Sequence, residues 1–185
     1  MTNRVCPWWL GYFLINPLRR LWYKPETILR PFVTEGMLVL EPGCGMGYFT
    51  LDIARLVGPH GRVVAIDLQP RMLTGLQRRA RKAGVAGRID ARLAERDMLG
   101  VDDLAGAVDF ALVFAVVHEL PDQRRFFLEM HQALKAGGKI LIAEPKGHVT
   151  ESKFRASLEA AATLGFQLKE APVIGGSRTA VLERS

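Results

Sequence analysis

The chain predicts a layered α/β fold: a mostly parallel, seven-stranded sheet with helices on both faces and a C-terminal antiparallel hairpin. Three observations carry this prediction. From residue 37 onward, short aliphatic runs alternate with segments of helical periodicity, the pattern of strands joined by crossover helices. Val108–Val117 is apolar except for Asp109, and hydrophobicity on both faces is what a central parallel strand requires. The last two strand patterns are separated by a Pro/Gly segment, Pro172–Gly176, which suits a hairpin at the sheet edge.

Taken in order, Met37–Glu41 reads as the first strand. Tyr48–Val57 follows as a helix with Phe49, Ile53, Ala54 and Val57 on one face. Gly58-Pro59-His60-Gly61 breaks the chain, and Arg62–Asp67 is the second strand. A helix from Pro70 to Ala83 carries Met72, Leu73, Leu76 and Ala80 on one side, with Gly84 as its stop. Ile89–Leu93 is a weaker third strand and Val108–Val117 the fourth. Leu120-Pro121-Asp122 opens a helix through Phe126, Phe127, Met130 and Leu134, closed by Ala136-Gly137-Gly138. Strand Lys139–Glu144, helix Glu151–Leu164 and strands Gln167–Ala171 and Thr179–Glu183 complete five strand-to-helix alternations and their hairpin.

Composition narrows the setting. At 185 residues, 49% hydrophobic and 24% charged, the chain is long enough for one globular domain with a sizeable core. The excess of 25 Lys and Arg over 19 Asp and Glu, a formal +6, permits an anionic partner without demanding one. With two cysteines, Cys6 and Cys44, a disulfide-stapled scaffold is excluded and a reduced, cytoplasmic setting is expected. The apolar stretch Cys6–Ile15 is too short to span a bilayer, which takes about 20 helical residues. It lacks a small-residue cleavage site as well. Residues 1–24 are therefore read as an aromatic N-terminal cap on a domain of residues 25–185.

The sharpest motif is Leu38-Val-Leu-Glu-Pro-Gly-Cys-Gly-Met-Gly-Tyr-Phe-Thr50. In a parallel α/β sheet, ligands bind beyond the carboxyl ends of the strands, and Gly43, Gly45 and Gly47 let a ligand approach the backbone there. Asp67 ends the next strand 20 residues after Gly47, the placement for a carboxylate that accepts ribose hydroxyls. That spacing suits a nicotinamide dinucleotide too. Glu41 separates the two possibilities, because a carboxylate at the loop mouth repels pyrophosphate but attracts an ammonium or a sulfonium. The loop also has G-x-G-x-G in place of G-x-G-x-x-G, and lacks a phosphate-loop G-K-[ST].

These residues resemble the class I S-adenosylmethionine-dependent methyltransferases, in particular the small-molecule type with one Rossmann-like domain. The resemblance covers residues 25–184 and rests on five pieces in order: V-L-E-P-G-C-G-M-G-Y-F-T, V-V-A-I-D-L, E-R-D-M, V-D-F-A-L-V-F-A-V-V-H-E-L-P-D and L-K-A-G-G-K-I-L-I-A-E-P. It implies S-adenosylmethionine as cofactor, with Glu41 and the Gly43–Gly47 amides, Cys44 and Gly45 among them, at the methionine moiety. It further implies Asp67 on the ribose, Leu68 on the adenine face, Asp97 and Met98 at the adenine edge, and Phe114 and Ala115 on the methionine side. No metal site is implied.

The acceptor side carries fewer signals. His118 follows the fourth strand and His148 the fifth, and both are candidate bases, His118 having the better chemistry near neutral pH. A bracing role for His118 is an equal alternative. The stretch after strand four is Phe114-Ala-Val-Val-His118, not the N/D-P-P-Y/F of DNA amino-methyltransferases, and neither cysteine stands where a cytosine C5 enzyme needs its nucleophile. Nucleic acid is therefore not expected as a partner. Pro7–Tyr23 holds all three tryptophans and two of three tyrosines, and is read as a lid over a small, partly apolar acceptor. Shallow attachment to a membrane surface through residues 7–23 is the second reading, given Arg4, Arg19, Arg20 and Lys24 beside them. Two other classes stay open: a cofactor-binding protein without turnover, and a nicotinamide-type oxidoreductase.

Overall fold

The computed structural model describes residues 23–95 and 98–185, and the chain divides into two units, one running up to Ala94 and one from Glu95 to Ser185. In the first, helix α1 (Pro25–Leu29) leads to strand β1 (Leu38–Pro42), helix α2 (Thr50–Leu56), strand β2 (Arg62–Asp67), helix α3 (Pro70–Lys82) and strand β3 (Ile89–Leu93). Strand β2 lies between the others, parallel to both, with Leu38 to Pro42 opposite Arg62 to Ile66 and Val63 to Asp67 opposite Ile89 to Leu93. The carboxyl ends of β1 and β2 are therefore level. This register sets the loop after Glu41-Pro42 beside Asp67.

Helix α2 buries Ile53 and Ala54, with Val57 buried just past its end, and α3 buries Met72, Leu73, Leu76 and Ala80. Both predicted apolar faces are the buried faces. The basic residues Arg78, Arg81 and Lys82 are exposed.

The second unit holds strand β4 (Val108–Phe114), helix α4 (Gln123–Ala133), strand β5 (Leu134–Pro145), helix α5 (Glu151–Ala162), strand β6 (Phe166–Glu170) and strand β7 (Ser177–Arg184). Strands β4 and β5 are parallel, β7 is antiparallel to β5, and β6 pairs antiparallel with β7 at the edge. The spatial orders are β3-β2-β1 and β4-β5-β7-β6, the seven strands of one mixed sheet. Its core here is Phe110, Phe127, Met130, Ile140 and Leu141, all essentially inaccessible. Asp122 caps α4 by accepting from the Arg125 amide at 2.9 Å, and Thr150 caps α5 by accepting from Lys153 at 3.3 Å.

Three departures from the sequence reading go beyond a shift of one or two residues at an element's end. The fourth strand stops at Phe114 rather than Val117, because Ala115 takes a left-handed backbone (φ 59°) and Val117–Glu119 winds into a 3-10 turn. Continuous hydrophobicity marks burial, not backbone conformation. Ala136-Gly137-Gly138 is not a loop between helix and strand: β5 already begins at Leu134, and the pairing jumps from Val108–Leu134 to Phe110–Lys139 across it. The glycines form a bulge, with Gly137 at φ 75°. Between β3 and β4 the described residues carry only 3-10 turns such as Asp102–Leu104, so one of the five alternations has no α-helix.

Candidate active site

The glycine loop is built from both strands it joins. Gly43 and Cys44 donate their amides to the Ile66 carbonyl at 2.8 and 3.0 Å, Gly45 donates to Asp67 Oδ2 at 2.9 Å, and Gly47 donates to the Cys44 carbonyl at 2.9 Å. Three of these glycines have positive φ: 71°, 53° and 79°. The loop thus uses on itself most of the amides expected at a methionine moiety. What it offers outward is bare backbone, since a Cβ on Gly45 would meet nothing within 4 Å.

Gly47 has a different task. A Cβ there would lie 2.3 Å from Leu76 Cδ1, and one on Gly75 would lie 2.9 Å from Met46 Cγ. These two glycines let α3 close on the loop, and Arg79 Nη1 fastens it by donating to the Met46 carbonyl. Cys44 is buried, and burial with the nearby acids Glu41 and Asp67 pushes its thiol well above its ordinary range, so it is a packed, unreactive loop residue.

Two acids meet inside this loop. Asp67 Oδ1 accepts from the Gln69 amide at 2.9 Å while Oδ2 takes Gly45, which orients the carboxylate at the end of β2. Burial raises its pKa, and the backbone amides offset part of that rise. Glu41, 4% exposed, is raised from 4.5 to about 8, first by burial and further by the Asp67 charge, with the Thr50 hydroxyl pulling the other way. Glu41 Oε2 and Thr50 Oγ1 are both buried and neither is in a well-formed hydrogen bond, although the hydroxyl stands close enough to ease the carboxylate's charge.

An unpaired buried carboxylate oxygen beside a second acid calls for a cation or an N–H donor. S-adenosylmethionine carries a sulfonium and an ammonium, and its ribose hydroxyls can use the remaining lone pairs of Asp67. The residues present fit that cofactor. Leu68 is half-buried beside Asp67, in keeping with an apolar contact.

The remaining predicted residues belong to the second unit. Met98 is 41% exposed and pairs with Glu95 in an isolated bridge, while Asp97 lies outside the described residues. Phe114 is half-buried at the end of β4, and Ala115 follows in its left-handed turn, its amide donating to the Ala143 carbonyl at 2.8 Å. His118 sits on the next 3-10 turn, its Nδ1 hydrogen-bonded to Glu144 Oε2. His148 is exposed, its ring 6.0 Å from that of His118.

Glu144, next to last in β5, was not singled out from the sequence as a site residue. It is 1% exposed, and its Oε1 accepts from the Val116 and Val117 amides at 3.0 and 2.9 Å. Hydrogen bonding to Glu144 raises the His118 pKa above 6.5; burial works against this, and the Glu144 and Glu119 charges add to it. The available signal was the acid in Ile140-Leu-Ile-Ala-Glu144, a charge closing an apolar run of four residues.

Among the described residues no cluster of His, Cys, Asp and Glu could hold a metal ion. No described helix is long and apolar enough to cross a membrane.

Comparison with known proteins gives the same family. A family model described as a methyltransferase domain matches residues 33–174. The ubiquinone/menaquinone biosynthesis C-methyltransferase UbiE of Pasteurella multocida is 31% identical over 138 residues, covering 72% of this chain and 50% of that protein. A demethylmenaquinone methyltransferase of Geobacillus sp. is 25% identical over 131 residues, covering 71% and 55%. The chain thus spans about half the length of the curated relatives it matches. A SAM-dependent methyltransferase structure from Aquifex aeolicus superposes with a TM-score of 0.84 over 97% of this chain and 98% of that one, and at 22% identity this shows the shared fold. With its glycine loop, buried acid pair and matched domain, the chain belongs to the class I S-adenosylmethionine-dependent methyltransferases.

Proposed function

We propose that the protein transfers the methyl group of S-adenosylmethionine to a small, partly apolar acceptor of the hydroxylated quinone-precursor type, in the cytoplasm. The observation that carries the reading is Glu41: a buried carboxylate with an unpartnered oxygen, set in a glycine loop beside Asp67. A phosphate-bearing dinucleotide would oppose ionisation of Glu41 and be repelled by the Asp67 charge, whereas a sulfonium or ammonium favours that ionisation. The names of the Pasteurella and Geobacillus relatives, both quinone-pathway methyltransferases, support the acceptor class.

When bound, the cofactor supplies an electrophilic methyl carbon already activated by the sulfonium charge. What remains for the protein is to hold that cofactor through Glu41, Gly45 and Asp67, to align the acceptor, and to take its proton at His118. The test is incubation with methyl-labelled S-adenosylmethionine and a water-soluble hydroxynaphthoquinol. Labelled product that depends on the protein and disappears in Glu41→Ala supports the reading. Tight cofactor binding with no transfer to this or any extract component would favour the non-catalytic alternative.

The N-terminal aromatic segment, whose residues 1–22 lie outside the described residues, enters this proposal as the acceptor lid. Its exit is anchored, since the Tyr48 hydroxyl donates to the Tyr23 carbonyl at 2.6 Å. Deleting residues 1–23 should abolish turnover and leave cofactor affinity nearly intact. Protein that floats with anionic vesicles through this segment would favour the membrane-surface reading.

A further inference from the structure

We propose that Glu144 is a positioning residue that fixes His118 as a proton acceptor, and that the acceptor molecule is one that must lose an O–H or C–H proton on methylation. This rests on the methyl-transfer reading above and specifies its chemistry. The geometry comes from four strands of support. Glu144 is buried at the end of β5, and its Oε1 is held by the Val116 and Val117 amides, which leaves Oε2 aimed at His118 Nδ1. With Glu144 Oε2 as the acceptor of this bond, Nδ1 carries the hydrogen and the lone pair falls on Nε2, the assignment on which the proposal stands. Gln123 Nε2 donates to the Val117 carbonyl at 3.0 Å, and Ser157 donates to Gln123 Oε1 at 2.8 Å, so the turn bearing His118 is tied to α4 and α5. His118 keeps 23% of its side chain open to solvent, with Nδ1 the nitrogen turned to Glu144.

A histidine that merely braced the turn could make the same contact, but its tautomer and pKa would then not govern turnover. An amine or thiolate acceptor already has a usable lone pair at the reacting atom, whereas a hydroxyl or a ring carbon becomes a good nucleophile only as its proton leaves. The acceptor's proton passes to His118 Nε2, its electron pair forms the new bond to the methyl carbon, and the sulfur–methyl bond breaks with its pair retained on sulfur as the neutral thioether. The proton is later released to water.

The groups facing His118 are Glu144 from β5, Glu119 on its own turn and His148 at 6.0 Å between rings. All but His148 are acids that favour the protonated imidazole, so turnover should rise with pH through a His118 pKa lying above 6.5.

The test combines nitrogen-15 NMR of the His118 ring with kinetics of wild type and Glu144→Gln. Gln keeps an oxygen for the two backbone amides but presents an N–H2 to Nδ1, which forces the hydrogen to Nε2. In the wild type, Nδ1 should be protonated in the neutral form. In Glu144→Gln the tautomer should switch, the His118 pKa should fall, and kcat should drop on the order of 10²- to 10⁴-fold, with S-adenosylmethionine affinity retained. An unchanged tautomer and pH profile in Glu144→Gln would overturn the proposal. Should that variant not fold, the wild-type ring decides alone: a neutral His118 protonated at Nε2 overturns it equally. Because the ring signals need neither cofactor nor acceptor, failure of the methyl-transfer reading would show separately, as absence of labelled product with the tautomer as stated.

Discussion

Gly45 and Gly47 stand two positions apart in one loop, yet they do different work. At both, φ is positive, so any side chain costs about 1 kcal/mol of backbone strain. Only at Gly47 would a methyl also collide with Leu76, at 2.3 Å. Gly47→Ala should therefore destabilise the fold by roughly 2–4 kcal/mol, the strain together with the overpacking, and denaturant melts would register it. Gly45→Ala should cost about 1 kcal/mol in the same melt, but weaken cofactor binding in calorimetry, since its methyl points into open space where the ligand approaches. The sequence displayed the three glycines and the acids Glu41 and Asp67, because these residue types are scarce in such a setting. It could not display that the loop amides turn inward to Ile66 and Asp67, which depends on strand register. Glu144 was hidden for a similar reason: its role exists only because β5 ends level with the turn after β4, a pairing between residues 26 apart.

The elements were legible where periodicity and punctuation agreed. β2 falls on its predicted residues and α3 ends one residue short of the reading, because charged or glycine residues bound an unambiguous apolar pattern; β3, a weaker pattern with two charges, also falls on its predicted residues. The end of β4 was misread because Ala115-Val-Val117 is as apolar as the strand before it, although its backbone turns away at φ 59°. This turn is also what brings the Val116 and Val117 amides to Glu144. At α4 the start is secured by Asp122, whose side chain accepts from the Arg125 amide. Asp122→Ala should cost about 1 kcal/mol in a thermal or denaturant melt. Phe127→Ala, which would empty a site of no solvent exposure against Phe126 and Phe166, should cost about 3–5 kcal/mol in the same assay. A smaller loss at Phe127 than at Asp122 would contradict the packing described for α4.

For the molecule as a whole, the buried acids couple folding to pH and to ligand. Glu41 holds its proton until about pH 8 when folded, against 4.5 as its ordinary value, so the folded state binds more protons than the unfolded one through that window. Asp67 and His118 are also raised when folded, and each likewise contributes stability that is lost as pH rises through its folded pKa. His131, lowered by burial and by Arg184, works in the opposite sense. The ligand-free protein should therefore melt at lower temperature at pH 8 than at pH 5, and Glu41→Gln should flatten that slope. Binding of S-adenosylmethionine near neutral pH must then ionise Glu41. The most direct test is calorimetry of S-adenosylmethionine at pH 7 in two buffers of different ionisation enthalpy, with NAD as the comparison. The prediction is tight binding that releases most of one proton in the wild type and none in Glu41→Gln, with no competition from NAD. Binding without proton release, or release undiminished in Glu41→Gln, would contradict the assignment of the buried acid to the cofactor's positive charge.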